Sequence, residues 1–211
     1  MLIVGAGGLA SQLYDDIVLS PIGYVFWSEK DSEYKFITKR YKLISTEAEV
    51  KDHFNSTGRE FVTGIWDIHD RKRLTDQFIV WGGILVSWIS PVNYLSSLTE
   101  IGAGTMVLHK AATEPGVCFG RSCIINKRSN FGHGAILKDY CSIGPFVIVG
   151  SNSIIEENVM VGMGAIIQPG IKVGKNAIVT AGAVVTKNIP ENAVVSGVPA
   201  GIRFFRKLDR V

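Results

Sequence analysis

Stepping by six from Ile101, the chain reads Ile101, Val107, Thr113, Phe119, Ile125, Phe131, Leu137, Ile143, Val149, Ile155, Val161, Ile167, Val173, Val179 and Val185. All fifteen positions keep register without an insertion, and only Thr113 is not apolar. Two residues before these positions runs a second series, beginning Thr105, Ala111, Val117, Cys123, Ser129, Ala135 and ending at Ala183, nearly all small or aliphatic. The residue after the aliphatic is often glycine, as at Gly120, Gly132, Gly144, Gly150, Gly162 and Gly174. Helices repeat at about 3.6 residues and strands at two, so neither alone produces a period of six. A coil with three flat sides does, with each hexapeptide giving one short strand and one turn. The aliphatic residue fills the inside of the corner, and the residue two before it must be small to fit beside it. Three hexapeptides close one rung, so fifteen predict about five rungs.

The first part of the chain follows different rules. "LIV" (2–4), "YVFWS" (24–28) and "EFVTGIW" (60–66) read as strands, and 11–20, 46–54 and 70–78 as helices, with Thr46 as a cap. Alternating strand and helix predicts a small parallel α/β domain of Rossmann type over 1–84. The β-helix then occupies 85–200 and a C-terminal tail 201–211, with Pro91 near the boundary and Pro190 and Pro199 stopping further winding.

Composition limits the function classes. Hydrophobic residues make up 46% and charged residues 19%, which fits a compact folded chain rather than a disordered one. The net charge of +3 is small and dispersed and gives no nucleic-acid signature. Cys118, Cys123 and Cys141 match neither zinc spacing nor a disulfide framework, and all three are expected to be reduced core thiols. No signal peptide and no membrane-length apolar run is visible, which points to the cytoplasm.

Gly5-x-Gly7-x-x-Ala10 follows a strand and opens a helix, and Glu29 stands where an acidic ribose ligand belongs. The domain has room for one mononucleotide-sized half, not a full dinucleotide site.

Residues 101–200 resemble the left-handed parallel β-helix of hexapeptide-repeat acyltransferases, and the close "KNIPENAVVSGVPAGIRFFRK" (187–207) resembles that superfamily's usual end. The whole order, small α/β domain then coil, resembles the sialic acid O-acetyltransferase and bacillosamine N-acetyltransferase family of bacterial sugar-modifying enzymes. The resemblance implies that the first domain holds the nucleotide of a nucleotide-linked sugar, with Gly5, Gly7, Gly8, Ser28 and Glu29 at the matching positions. Where the family carries a histidine in the loop this chain has Leu9, and Trp66 aligns with a usual glycine.

His133 is the residue on which chemistry would turn. In the family the catalytic histidine follows an asparagine by seven residues and precedes a Pro-Gly or Pro-Asn turn by six hexapeptides. Here Asn126 precedes His133 by seven, and six hexapeptides lead to Pro169-Gly170. Two residues past Phe131, the imidazole should point out of the coil, where it can take a proton near neutral pH. Ser151, eighteen residues on, lies one rung along, so its N–H is the candidate donor to a thioester oxygen that gains charge. The resemblance implies acetyl-CoA as co-substrate, in a groove between neighbouring coils of a homotrimer, at Ser142, Ser151, Met163 and Ala181. The family's acid directly after the histidine is Gly134 here, so Asn126, Asn130, Asp139 or a neighbouring subunit is expected to hold the ring.

The resulting reading is an acetyltransferase acting on an amino group of a nucleotide-linked amino sugar in bacterial surface polysaccharide biosynthesis. Acylation of a sugar hydroxyl and a catalytically inactive sugar-nucleotide-binding homologue are the alternatives. A β-helix carbonic anhydrase would need three converging histidines for zinc, and the coil has only His109 and His133. His53 and His69 are expected to be solvated. Phe146, Ile148, Met160 and Ile178 are expected on the coil's outer surface, where a threefold assembly would bury them.

Overall fold

The computed structural model describes residues 1–18, 23–29 and 35–207, and it forms two units, Met1–Trp88 and Ile89–Val211. In the first unit, β1 (Leu2–Val4) is three buried aliphatic residues, the composition of a parallel strand covered on both sides. It pairs in parallel with β2 (Val25–Trp27) on one side and β4 (Glu60–Thr63) on the other. Beyond these lie β3 (Lys42–Ile44) and β5 (Ile84–Leu85), giving the order β3-β2-β1-β4-β5 with every neighbour parallel. The strand order therefore reverses between β1 and β4, and a crevice opens outside the carboxyl ends of strands at such a point.

Among the described residues, five helices connect these strands: α1 (Gly8–Ser11), α2 (Tyr14–Val18), α3 (Lys35–Arg40), α4 (Glu47–Ser56) and α5 (Ile68–Val80). The α4 start is fixed by a capping box, in which Thr46 Oγ1 accepts from Glu49 N–H and the Glu49 carboxylate accepts from Thr46 N–H. Asp67 caps α5 by accepting from Asp70 N–H. Phe54 of α4 and Leu74 and Phe78 of α5 pack with Leu2, Val4 and Phe61 in one apolar cluster.

Several expectations need correction. The helix over 11–20 is two short helices, and residues 19 and 20 lie outside the described residues. β3 and β5 were not anticipated; residues 84–85 pair with β4, so a boundary at 84 cuts a strand of the first unit. His53 is not solvated: it is buried on the inner face of α4, its Nε2 without a partner among the described residues. His69 is exposed, in the first turn of α5 rather than beside it.

The second unit is the three-sided coil. Its first face holds the strands Glu100–Ile101, Cys118–Phe119, Ile136–Leu137, Ile154–Ile155 and Lys172–Val173, each paired in parallel with the strand eighteen residues on. The second face runs through Met106–Val107, Ile124–Ile125, Ser142–Ile143, Met160–Val161 and Ile178–Val179. The third runs through Ala112–Thr113, Asn130–Phe131, Ile148–Val149, Ile166–Ile167 and Val184–Val185. Five rungs result, as the period predicts. The interior is the aliphatic series itself, from Val107 to Val185, packed against the small-residue series. Thr113, the one polar member, accepts from Ser96 N–H and bonds Thr99 Oγ1 on the preceding loop.

The small series also does polar work. Thr105, Ser129 and Ser153 each donate a hydroxyl to the carbonyl fifteen residues on, and the thiols of Cys123 and Cys141 lie 3.1 Å from the carbonyls at the same spacing. Cys118 departs from the core reading: it lies on an outward strand position, half-buried, with Sγ 3.7 Å from Glu100 Oε2.

From Ile101 to Val179, each turn places the third residue after the interior residue of the series at positive φ. Gly104, Gly116 and Gly134 take it without a Cβ penalty, whereas Lys110, Ser122, Arg128, Tyr140, Phe146 and Asn152 take it at φ of 51–59° against that penalty, held by the rungs on either side. Asn158, Asn176 and Asn192 share this conformation and form a ladder of side-chain amide bonds of 3.0 Å. The glycines directly after the aliphatics serve a different need. A Cβ on Gly144 would lie 2.7 Å from the Met163 nitrogen of the next rung, so rungs could not close there with a side chain present. The described part of the expected tail is not separate: Ala193–Ser196 extends the second face and Gly201–Phe205 returns antiparallel to it, while residues 208–211 lie outside the described residues.

Candidate active site

His133 lies between the third-face strand Asn130–Phe131 and the first-face strand Ile136–Leu137, at the corner joining those faces, and it is exposed. The outward direction expected from its phase is what the coil gives it. Ser151 and Asn152 stack on the same corner one rung along: Asn152 N–H donates to the His133 carbonyl at 2.9 Å, and a Cβ on Gly132 would lie 2.6 Å from the Ser151 nitrogen. Rungs of a parallel coil are about 4.8 Å apart. The Ser151 N–H has no acceptor among the described residues. The corner thus presents an imidazole and an unspent backbone donor about one rung apart, with room between them for a reacting carbonyl.

The groups expected to hold the ring are elsewhere. Asn126 is buried at the corner between the second and third faces, where its Oδ1 accepts from Lys127 N–H. Asn130 bonds the Arg128 carbonyl, and Asp139, at a third corner, accepts from Arg121 N–H. The carboxylate at His133 is Glu114, one rung before, whose Oε2 accepts from the His133 backbone N–H at 2.7 Å. Glu114 escaped the sequence reading because it is nineteen residues away; the signal was its place on the same corner. At Gly134 a Cβ would meet the Asn152 side-chain oxygen at 2.5 Å, so the amide fills the place of a side chain there.

Of the positions proposed for acetyl-CoA, only Ser151 shares the His133 corner. Met163 and Ala181 follow second-face strands, so both lie at the corner between the second and third faces, and both are exposed. Their side of one coil is not the His133 side. Ser142, on an outward position of the second face, has no exposed surface in the single chain.

In the first unit, Gly5, Gly7, Ser28 and Glu29 converge on a cavity of about 180 Å³ at the β1/β4 switch point. Gly8 is the first residue of α1 and is not among its lining. Gly5, at φ 111°, donates to the Trp27 carbonyl, and a Cβ there would meet the Gly64 oxygen at 2.9 Å. A Cβ on Gly7 would meet no atom of the described residues within 4 Å, which leaves that backbone open to a ligand on their side. The glycine packed on Ala10 is Gly64 rather than a residue at the Trp66 position. Sequence reasoning missed the far wall, Asp70 and Arg73, since it arrives from α5; Arg73 Nη1 lies 3.0 Å from Glu29 Oε1 and Nη2 3.3 Å from Asp70. These hydrogen bonds, the Glu29 one first, push the guanidinium further into its charged form. Arg71, fully buried, donates to the carbonyls of Ile65 and Trp66 and fixes the loop that lines the cavity. The buried Trp27 Nε1–H, at the cavity wall, has no acceptor among the described residues.

Residues 153–187 match the family model described as the hexapeptide repeat of succinyl-transferase. No curated protein matches the chain by sequence. Solved structures are similar over almost its full length. A mutant perosamine N-acetyltransferase from Caulobacter crescentus, in complex with CoA and GDP-perosamine, has a TM-score of 0.85 at 22% identity, covering 96% of each chain. The acetyltransferase domain of PglB from Neisseria gonorrhoeae FA1090, in complex with acetyl coenzyme A, has a TM-score of 0.83 at 24% identity, covering 95% of this chain and 97% of that one. WeeI from Acinetobacter baumannii AYE has a TM-score of 0.76 at 23% identity, covering 95% and 98%. The chain thus carries hexapeptide repeats and has the fold of these proteins, a small parallel α/β unit followed by a left-handed parallel β-helix.

Proposed function

We propose that the protein is an acetyl-CoA-dependent acetyltransferase that acts on the amino group of a nucleotide-linked amino sugar in bacterial surface polysaccharide biosynthesis. The observation that carries this reading is the corner where exposed His133 stands one rung from the unspent Ser151 N–H. Neutral His133 takes a proton from the attacking amine as the C–N bond forms. The Ser151 N–H stabilises the oxyanion of the tetrahedral intermediate, and the C–S bond then breaks to release the CoA thiolate. The cavity at Gly5, Gly7, Ser28 and Glu29 holds the nucleotide, with Glu29 as acceptor for ribose hydroxyls. Similar folds bound to CoA, acetyl-CoA and GDP-perosamine support the choice of co-substrate and substrate class.

The active form in this reading is a homotrimer. His133 and Ser151 lie on one corner while Met163 and Ala181 lie on another, so a groove using all four takes its walls from two copies. Phe146, Ile148 and Ile166 are exposed apolar residues on or beside the third face, and an assembly would cover them. Met160 and Ile178 are half-buried already. Among the described residues no helix is long and apolar enough to cross a membrane, and cytoplasmic acetyl-CoA is the donor the reading requires.

The test is incubation with acetyl-CoA and a panel of nucleotide-linked amino sugars, reading released thiol and the product by mass spectrometry and NMR. Stoichiometric thiol release with an N-acetyl product is expected. Acetylation of a hydroxyl alone would replace the amine reading, and absence of thiol release with every sugar would refute it. A mass in solution of three times 23.0 kDa is expected, and a monomer would overturn the shared groove.

A further inference from the structure

Taking a proton from the amine turns the His133 ring into a cation, and a carboxylate close by stabilises that cation and orients the ring. Residue 134 supplies none, since it is glycine and the Asn152 side chain occupies the space beyond its Cα. The corner itself supplies one. Glu114 stands one rung before His133, after the third-face strand Ala112–Thr113, and its Oε2 accepts from the His133 backbone N–H at 2.7 Å. Its neighbour Pro115 accepts from Gly134 N–H at 3.1 Å, so the 114–115 turn grips the backbone on both sides of the His133 Cα. The opposite side is held by Asn152 N–H on the His133 carbonyl.

We propose that Glu114 is the positioning residue of the His133 base: its carboxylate clamps the His133 backbone through one oxygen and so brings a negative charge to the corner on which the imidazolium forms during transfer. This rests on the acetyltransferase reading. The two jobs separate in substitution. Glu114→Gln keeps an oxygen that can accept from the His133 N–H and removes the charge. Glu114→Ala removes both.

Two measurements test it on the full-length protein. In amide NMR, the His133 N–H proton should shift upfield in Glu114→Gln and further in Glu114→Ala, because a bond to a carboxylate is stronger than one to an amide. In steady-state kinetics, Glu114→Gln should lower kcat about tenfold or more with KM for both substrates within about twofold, because lost charge stabilisation of the base acts on the transition state. Glu114→Asp should recover part of the kcat. A merely structural role would leave kcat of Glu114→Gln near wild type or raise KM instead, and either result overturns the proposal. An unmoved His133 amide proton in both variants overturns the clamp. Absence of wild-type turnover overturns the acetyltransferase reading, and the charge role with it, whereas a normal kcat in Glu114→Gln on an active wild type overturns the Glu114 role alone.

Discussion

The two units place their functional groups by different means. In the coil, a residue's number gives its position: six residues move it one face, and eighteen move it one rung on the same face. His133, Ser151 and Glu114 meet because their numbers put them on one corner. In the α/β unit, Gly5, Glu29 and Arg73 meet because three separate strand–helix connections end at one switch point, and no spacing encodes that. A repeat therefore exposes its geometry to counting, while a switch-point pocket exists only once the sheet is assembled.

The comparison breaks most readily inside the coil. Ile143→Ala should destabilise the protein by about 2–5 kcal/mol, because the corner interior is closed above and below by other rungs. Ile148→Ala, on an exposed outward position, should change chain stability by less than about 0.5 kcal/mol while weakening self-association. Denaturant unfolding and sedimentation check the pair; equal costs would mean that the phase of the repeat does not separate inside from outside.

In the first unit the contrast lies between two glycines. Gly7→Val should leave the melting temperature near wild type and raise KM for the nucleotide sugar with kcat little changed, since its Cβ meets no atom of the described residues. Gly5→Val should instead cost stability, because it strains a φ of 111° and drives a side chain at Gly64. If both behave alike, the cavity is not the nucleotide site.

The smallest expected effect is a pH dependence that belongs to the first unit alone. Burial, then the N-terminal ammonium and Lys42, lower the His53 pKa below 6.5, with Asp52 acting weakly the other way. Above 6.5 both folded and unfolded forms are neutral and His53 contributes no slope. As pH falls below 6.5, the unfolded chain takes up a proton that the folded chain resists, so stability declines until the folded value is passed. His53→Leu should flatten that decline in melting temperature; an unchanged slope would place its origin elsewhere.

What could be read from sequence follows the same division. Five rungs, the inward aliphatics and the outward His133 followed from a period that survives any surface substitution. The left-handed turn residues did not, because Lys110, Arg128, Tyr140 and Phe146 share a conformation but no chemistry. β3 and β5 were missed because strands of three and two residues, partly exposed, carry too little pattern. Asp70 and Arg73 were missed because only the folded sheet brings α5 to the glycine loop. His53 was misjudged because a polar residue on a helix reads as solvated until its neighbours are known.

The central claim is that the His133 imidazole takes the proton of the acetyl acceptor. Thiol release from acetyl-CoA in the presence of an accepted nucleotide-linked amino sugar, compared between wild type and His133→Ala at matched melting temperatures, tests it most directly. Because His133 is exposed and packs in no core, the variant should fold as wild type does. The account predicts a fall in kcat of about 100- to 10,000-fold. Turnover at the wild-type rate in the folded variant would contradict it.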